Sequence, residues 1–288
     1  MNSYLFVNPF SGKYDQRSVD TAVKRLNTAG IFPEVCTVKQ TTNGRSIFQI
    51  INSSASSPLV IVAAGDGTIN EVINGLNPEA ATLAVLPMGT SNVLARELGI
   101  ASLDKGIDLV IGGATKPLSV GVIELEGISR RFVLMAGIGF DGAVVRDVSL
   151  HWKRLLKQGA YGLSAIKNCV GWDSEQIRVN SGDRSFTCHS VIISNAARYG
   201  GSFVLAPEGS VSAPGLTAVC IQKSSRSGYL RLACDLFLGR AAASPAVLRI
   251  PVDECDITGR KPVQIDGDFI GYSPARLKTL PNFARIIS

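Results

Sequence analysis

The pattern of apolar and polar residues changes near residue 116 and divides the chain into two parts. In the first part, continuous apolar runs such as residues 59–64 are typical of parallel strands that are buried on both faces of a sheet. Between such runs, apolar residues recur at helical spacing, as at Val19, Ala22 and Leu26. Strand and helix alternate in this way up to residues 82–99. The first part therefore predicts a three-layer α/β domain over residues 1–116.

After residue 116 the pattern changes to short β-like runs that are separated by clusters of Gly, Ser, Asp and Pro. Two segments with helical spacing, 151–170 and 228–239, interrupt these runs. We therefore predict a second domain, dominated by β-structure, over residues 117–275.

Three turns rich in Gly, Ser, Thr and Asn follow predicted strands of the first part, at residues 8–13, 65–68 and 87–92. Because the carboxyl ends of parallel strands meet at one edge of a sheet, we expect these turns to converge. Gly65 and Gly67 would expose backbone N–H groups to a phosphate, and Thr68 would cap the helix that follows. A tight turn without function is the alternative, but the two companion turns favour a phosphate site.

Asp66 stands between these two glycines. A carboxylate beside a phosphate would repel it, so a role in anion binding makes little sense. We expect Asp66 to bind a magnesium ion or to handle a hydroxyl proton.

The amino-acid composition limits the classes of partner that the protein is expected to bind. The chain has 29 Lys and Arg against 23 Asp and Glu, and its net charge of +6 favours a nucleotide, a nucleic acid or an anionic membrane surface. No RRM, KH or zinc-finger motif supports nucleic acid, so we expect no nucleic-acid partner. Six cysteines without a C-x-x-C pair, and two histidines, His151 and His189, argue against zinc and favour free cytosolic thiols. Both histidines are expected to be structural or exposed.

The N-terminal residues lack the basic segment and the apolar length of a signal peptide. No uncharged run approaches the roughly 20 residues that a spanning helix requires. We therefore expect a cytoplasmic protein whose contact with a membrane is peripheral. Segment 151–167 alternates apolar and basic residues, which fits a helix on a core or one resting on an anionic membrane. The sequence of residues 230–239 predicts a packing helix, with contact to lipid tails as the alternative.

Two other glycine-rich segments carry weaker interpretations. Residues 137–142 match G-x-G-x-x-G in form, but they lie in the β-rich part without a βαβ unit, so we expect structural turns. The Ser-Gly-Lys of residues 11–13 lacks both the upstream glycine and the following Ser or Thr of a Walker loop. Lys13 is still expected to lie near phosphate.

Six segments resemble, in the same order, motifs of the diacylglycerol kinase catalytic family, which includes bacterial diacylglycerol kinases, related lipid kinases and the sphingosine kinases. The resemblance runs over nearly the whole chain, and six motifs in order are far more specific than GDGT alone. The segments are NPFSGK at 8–13, GDGTINEVINGL at 65–76, LPMGTSNVLARELGI at 86–100, GIGFDG at 137–142, GAYGLSAIK at 159–167 and VQIDGDF at 263–269.

This resemblance implies a first domain like those of NAD kinases and phosphofructokinases, a β-sandwich-like second domain, and ATP in the cleft between them. Residues 276–288 would return to the first domain. It also implies an ATP- and magnesium-dependent kinase that phosphorylates a lipid hydroxyl at a membrane surface, most simply diacylglycerol giving phosphatidic acid. The alternatives are a kinase of another lipid or of a soluble alcohol, and a nucleotide-binding pseudokinase or sensor. An exposed strand edge would permit a homodimer.

Carried over residue by residue, the resemblance implies roles for three carboxylates and for the three turns. Asp266 and Asp268 occupy the place of the family's DGE motif and are the candidates for the general base. Asp66 would bind magnesium or share the base role. The implied nucleotide-binding residues are Asn8, Pro9, Phe10, Ser11, Gly12, Lys13, Thr41, Gly65, Asp66, Gly67, Thr68, Ile69, Asn70, Glu71, Gly89, Thr90 and Asn92.

The chain departs from the family pattern at four positions. Ala64 replaces the first glycine of GGDGT, Val93 stands where many members have aspartate, and Asp268 replaces glutamate. Pro214 stands where the bacterial enzymes commonly carry the Asp of an Asp-Gly pair that holds a structural magnesium, and proline cannot ligate a metal. We therefore expect that structural site to be absent, and the departures keep the pseudokinase alternative open.

Overall fold

The structure, a computed structural model, describes residues 2–42, 44–147, 173–201, 203–222, 225–241 and 244–288. The segment 151–167 and His151, for which predictions were made, lie outside the described residues. The chain forms two compact units, one of Met1–Ser119 with Pro281–Ser288 and one of Val120–Leu280. In the described part of the chain, no helix has both the length and the apolar character needed to cross a membrane.

Helices and strands alternate in the first unit, and strands predominate in the second, as the sequence predicts. The helices are α1 Gln16–Thr28, α2 Ile47–Asn52, α3 Asp66–Gly75, α4 Val93–Glu97, α5 Leu103–Gly112, α6 Phe140–Asp147 and α7 Arg226–Phe237. The strands are β1 Ser3–Val7, β2 Glu34–Cys36, β3 Thr41–Thr42, β4 Arg45–Ser46, β5 Leu59–Ala64, β6 Thr82–Pro87, β7 Thr115–Leu125, β8 Ile128–Phe132, β9 Met135–Ile138, β10 Ile177–Ser181, β11 Arg184–Cys188, β12 Ser190–Ser194, β13 Arg198–Tyr199, β14 Phe203–Val204, β15 Leu216–Ile221, β16 Val247–Val252, β17 Glu254–Thr258, β18 Pro262–Ile265, β19 Asp268–Tyr272 and β20 Ala275–Ile287.

A parallel sheet forms the middle layer of the first unit, in the order β6-β5-β1-β2, and the end of β20 pairs parallel with β6. Every residue of β5 is buried, which explains its continuous apolar sequence. On one face, side chains such as Ile61 and Leu86 pack with α1 and α5. On the other face, Phe6 stacks on Phe48 of α2 with ring centroids 5.5 Å apart. The sheet therefore has helices on both faces, which is the predicted three-layer arrangement.

Helix ends in this unit follow local sequence signals. Asp15 precedes α1, and its side chain accepts a hydrogen bond from the Ser18 backbone N–H. Ser46 and Gln49 form a reciprocal capping box at the start of α2. These caps fix where the helices begin, and they thereby fix the lengths of the loops that precede them.

Two sheets packed face to face form the second unit. One is antiparallel in the order β16-β15-β12-β9-β18-β19, and the other contains β11-β10-β17 with the first part of β20, and β7 with β8. Side chains from both sheets, including Ile123, Phe132, Val191 and Leu277, form one continuous buried core. The second unit is therefore a β-sandwich, as the family resemblance implied, whereas the local patterns in its sequence indicated only that β-structure predominates.

Candidate active site

Three loops of the first unit meet at the carboxyl edge of its parallel sheet. The register pairs Val7 with Ala63 and Ala64 with Pro87, so β1, β5 and β6 end side by side. The Asn8 side chain donates a hydrogen bond of 2.8 Å to Thr68 Oγ1, which joins the first loop to the second. The Lys13 backbone N–H donates to the Met88 carbonyl oxygen at 3.0 Å, which joins the first loop to the third. The turns at 8–13, 65–68 and 87–92 therefore converge as predicted.

Contact with the backbone of a neighbouring loop requires glycine at Gly89 and favours it at Gly65, and at Gly12 a side chain would meet the Thr90 hydroxyl. A Cβ atom on Gly89 would lie 2.4 Å from the Gly65 Cα atom, and one on Gly65 would lie 3.1 Å from the Gly89 Cα atom. A Cβ atom on Gly12 would lie 2.3 Å from Thr90 Oγ1. The requirement at these positions is steric, since none of the three has a positive φ. Gly67 differs from them, because a Cβ atom there would meet nothing within 4 Å.

The Asp66 carboxylate holds the second and third loops together. Its Oδ2 accepts from the Val93 N–H and its Oδ1 from the Leu94 N–H, each at 3.0 Å. These are the first backbone groups of α4, which have no partner within that helix. Burial raises the pKa of Asp66 above its ordinary value, although the hydrogen bonds from Val93 and Leu94 act in the opposite direction. Asp66 therefore has a structural contact that the sequence did not indicate, and each oxygen keeps lone pairs for another ligand.

Thr68 does not cap the next helix, and that prediction is wrong. Helix α3 begins at Asp66, its N-cap is Gly65, and no side chain caps it. Thr68 thus lies inside the first turn, where its hydroxyl accepts the hydrogen bond from Asn8. Because side chains leave the first turn of α3 uncapped, its backbone N–H groups remain available to an anion.

The other residues with implied nucleotide contacts lie in different environments. Phe10 is 93% exposed, and its N–H donates to Asn8 Oδ1 at 2.9 Å. Ile69 is buried in α3 and has only an apolar side chain to offer. Thr41 lies in the β3-β4 hairpin, where it pairs with Ser46. Of the rest, Pro9, Lys13, Glu71 and Thr90 are exposed, Ser11 and Asn92 are partly buried, and Asn70 is buried.

In the second unit, Asp266 holds the turn between β8 and β9. Its Oδ2 accepts from the Val133 N–H at 2.7 Å, and its Oδ1 accepts from the Leu134 and Met135 N–H groups at 2.9 and 3.0 Å. Asp266 has a φ of +47°, in the left-handed region that Asp tolerates better than most residues. Asp268, two residues later, is exposed. The two candidate bases therefore have different surroundings, since Asp266 is bound to three backbone donors and Asp268 is exposed.

Sequence reasoning missed a third carboxylate, Asp141 of α6. The Tyr199 hydroxyl donates to its Oδ1 at 2.5 Å and the Gln264 amide to its Oδ2 at 2.6 Å. Gln264 Oε1 in turn accepts from the Gly267 N–H at 2.8 Å, which links Asp141 to the turn that carries Asp266 and Asp268. Burial raises the pKa of Asp141 above its ordinary value.

The predicted role of residues 137–142 as turns is therefore only partly right. The segment passes from β9 directly into α6, which begins at Phe140. A Cβ atom on Gly137 would lie 1.9 Å from Asp141 Oδ2, so this glycine makes room for the carboxylate. The sequence signal for Asp141 was its position between glycines. Its partner Gln264 is 123 positions away, so the sequence did not show the hydrogen bond between them.

His189 is buried in the second unit, so the prediction of a structural histidine is confirmed for it. Its Nε2 donates to the Asp173 carbonyl oxygen at 2.5 Å, and its Nδ1 lies 2.7 Å from the Tyr229 hydroxyl oxygen. Burial lowers the pKa of His189, and the nearby charge of Lys261 acts in the same direction.

The free energy of unfolding should therefore decrease as the pH falls below about 6.5, because the unfolded chain then binds a proton that folded His189 resists. One proton gives a slope of at most about 1.4 kcal/mol per pH unit. Urea titrations of the wild type and His189→Gln across this range measure the slope. Comparing the two proteins removes the contributions of Asp66 and Asp141. An equal slope in both would show that His189 does not titrate in this way.

Comparison with known proteins relates each part of the chain to a family. Residues 2–123 match the family model described as the diacylglycerol kinase catalytic domain, and residues 135–288 match the YegS C-terminal NAD kinase beta sandwich-like domain. The diacylglycerol kinase of Bacillus subtilis (strain 168) is 27% identical over 237 residues, which cover 80% of this chain and 77% of that protein. A diacylglycerol kinase of Staphylococcus epidermidis is 25% identical over 293 residues, covering 99% of this chain and 91% of that protein.

Solved structures support the fold. The crystal structure of a diacylglycerol kinase from Bacillus anthracis str. Sterne superposes with a TM-score of 0.69 at 19% identity, covering 99% of this chain and 96% of that chain. A second crystal structure from the same strain has a TM-score of 0.76 at 22% identity, with the same coverage. At these identities the comparison concerns the fold alone, and the predicted two-domain α/β class is confirmed.

Proposed function

Since the chain belongs to the diacylglycerol kinase catalytic family and is therefore a lipid kinase, we propose that it transfers the γ-phosphate of ATP to the hydroxyl of diacylglycerol and gives phosphatidic acid. The use of ATP follows from the family. The choice of diacylglycerol is supported by the names of the relatives from Bacillus and Staphylococcus. The acceptor resides in a bilayer, so we further propose that the enzyme works from the cytoplasm in peripheral contact with a membrane.

The main observation that supports the nucleotide site is the free space at Gly67, at the uncapped start of α3. Backbone N–H groups at the first turn of a helix favour phosphate because they carry partial positive charge. The exposed Lys13 lies on the adjoining loop and supplies a full positive charge. We assign the phosphates of ATP to this place, with the glycine contacts of Gly12, Gly65 and Gly89 holding the three loops in position.

In the proposed reaction, the acceptor oxygen attacks the γ-phosphorus, a new P–O bond forms, and the bond to the bridging oxygen of ADP breaks. We propose Asp268 as the group that accepts the hydroxyl proton, since its side chain is exposed. Asp266 then has a positioning role, because a proton on its carboxylate would disturb its hydrogen bonds with residues 133–135. Asp141 supports the same turn through Gln264.

We propose that magnesium binds together with ATP. Asp66 fits it as a single ligand, because Mg²⁺ is usually bound through one or two carboxylates together with phosphate oxygens and water. Each Asp66 oxygen accepts only one backbone hydrogen bond and can accept a metal bond as well. When bound, the ion would neutralise charge on the transferring phosphate. In the described residues, no three His, Cys, Asp or Glu side chains gather around one point, so most ligands would come from nucleotide and water.

Gly67→Ala should weaken ATP binding by about tenfold or more and leave the thermal stability of the free protein unchanged. The added methyl group meets no protein atom, but it would occupy space that we assign to phosphate. Isothermal titration with ATP and a thermal unfolding scan measure the two effects. Gly112→Ala is the matched control, because Gly112 also lies in a helix with nothing within 4 Å of an added Cβ atom.

Unchanged ATP affinity in Gly67→Ala would contradict the placement of the phosphates at α3.

A transfer assay with radiolabelled ATP against a panel of lipids in mixed micelles tests the identity of the acceptor. Binding of ATP without transfer to any lipid would instead support a nucleotide-binding sensor.

A further inference from the structure

Helix α7 has an inner face that packs on the second unit and an outer face that does not. Tyr229 and Leu232 are buried against Ile221. On the outer face, Leu230 is 68% exposed, and Leu238, which follows the last turn, is 63% exposed. The inner face alone anchors the helix, so packing does not explain the outer leucines.

The outer residues form one apolar stripe. Leu230, the exposed Cys234 and Leu238 follow one another at intervals of four, which places them on the same side of a helix. Helix α7 packs beside strand β14, whose Val204 is 39% exposed. Single exposed apolar residues are common on protein surfaces, but a group of them marks a contact surface. We call Leu230, Cys234, Leu238 and the flanking Arg231 and Arg240 the α7 ridge.

The charge of the α7 ridge is positive. Arg231 and Arg240 are exposed, and neither makes an ion pair with any residue that the structure describes. Asp235, the one acidic residue in the sequence of α7, accepts a hydrogen bond from the Ser244 hydroxyl at 2.5 Å. Exposed leucines flanked by arginines match an anionic lipid surface, since the apolar groups enter the acyl region and the arginines bind headgroup phosphates.

We propose that the α7 ridge docks the protein on anionic membranes, with Leu230 and Leu238 inserted among the lipids and Arg231 and Arg240 at the headgroups. This inference rests on the proposed function, because a kinase of a bilayer lipid must reach a membrane. It assigns the contact to α7 and the residues that follow it, none of which belongs to the phosphate-binding loops or to the Asp266–Asp268 turn.

Sedimentation with vesicles tests the proposal directly. Wild-type protein should bind vesicles of phosphatidylcholine and phosphatidylglycerol and bind pure phosphatidylcholine vesicles far less. Leu230→Ser/Leu238→Ser and Arg231→Glu/Arg240→Glu should each bind the anionic vesicles at least about tenfold more weakly. Ile111→Ser and Lys24→Glu are matched controls, because each changes an exposed residue of the first unit. Equal thermal unfolding of all variants shows that they fold.

A fluorophore on Cys234 gives a second measurement that needs no change in the α7 ridge apart from the label. Cys36, Cys188, Cys220 and Cys255 are buried, so labelling is directed to Cys234 once Cys169, which the structure does not describe, is replaced by serine. A bimane group there should shift its emission to shorter wavelength with anionic vesicles. Vesicle binding without any shift would overturn the proposal, because it would place the contact elsewhere.

Other outcomes separate this inference from the proposed function. Vesicle binding is measured without nucleotide, so its result tests the α7 ridge even if no lipid accepts phosphate. The ridge variants should retain wild-type turnover of a short-chain diacylglycerol that is dispersed as monomers. Unchanged vesicle binding in both double variants would overturn the proposal. A loss of self-association on size exclusion, with vesicle binding unchanged, would assign the ridge to a contact between copies of the chain.

Discussion

Replacing Asp268 by asparagine should lower the rate of phosphoryl transfer by about 10²- to 10⁴-fold, which is the usual contribution of a positioned general base. The free energy of unfolding should change little, because the side chain is exposed at the start of β19. The rate is measured with saturating ATP and diacylglycerol in mixed micelles, and stability is measured by urea titration. Asp183→Asn is the matched control, since Asp183 is an exposed aspartate in the turn between β10 and β11.

Asp266→Asn distinguishes the two carboxylates of this turn. The asparagine amide would direct N–H groups at a backbone N–H of residues 133–135, and a buried donor without a partner costs about 1–3 kcal/mol. We therefore expect Asp266→Asn to lose stability and Asp268→Asn to lose turnover. If Asp268→Asn kept full activity while Asp266→Asn folded normally and lost it, the assignment of the base would be reversed.

Asp66→Asn should reduce activity by about a hundredfold or more and should raise the magnesium concentration needed for half-maximal rate. The amide keeps one acceptor oxygen, but it removes the charge that favours a metal ion. It also faces a backbone N–H of Val93 or Leu94 with a donor, so the free energy of unfolding should fall by about 1–3 kcal/mol. Magnesium titrations of the initial rate and urea titrations measure the two effects.

Ser102→Ala is the control for the loss of stability. Ser102 caps α5 by accepting a hydrogen bond from the Lys105 N–H at 3.2 Å, and its loss costs about 0.5–2 kcal/mol. The control should therefore be destabilised to a similar degree and stay active. An Asp66→Asn protein with normal activity and magnesium dependence would restrict Asp66 to the structural role that its contacts with α4 show.

Much of the first unit could be predicted from the sequence because its signals are local. The apolar run of β5 and the helical spacing in α1 each follow from burial within a few successive residues. The convergence of the three loops also follows from sequence, since parallel strands place their carboxyl ends at one edge. The prediction about Thr68 was wrong because the N-cap of α3 is Gly65, three residues earlier, and a sequence pattern defines the boundaries of a helix less well than its existence.

The roles of the carboxylates could not be read in the same way. Asp66 lies at the expected place, but its bonds to Val93 and Leu94 join residues 27 and 28 positions apart. Asp266 accepts hydrogen bonds from three backbone N–H groups that lie 131 to 133 positions earlier in the sequence. In the sequence alone, its Asp-Gly pair looks like an ordinary hairpin turn. A carboxylate can serve a metal, a proton or a backbone N–H, and its neighbours decide which.

The sequence by itself determined the α/β unit followed by a β-rich one, the family, and the convergence of the three loops to which we assign the nucleotide, because periodicity and motif order are properties of the chain. The tertiary structure decided which side chains hold the loops and turns, that Asp141 joins the Asp266–Asp268 turn through Gln264, and that α7 leaves two leucines exposed. These features depend on contacts between distant parts of the chain and on which face of a helix the core covers, and local patterns do not specify either.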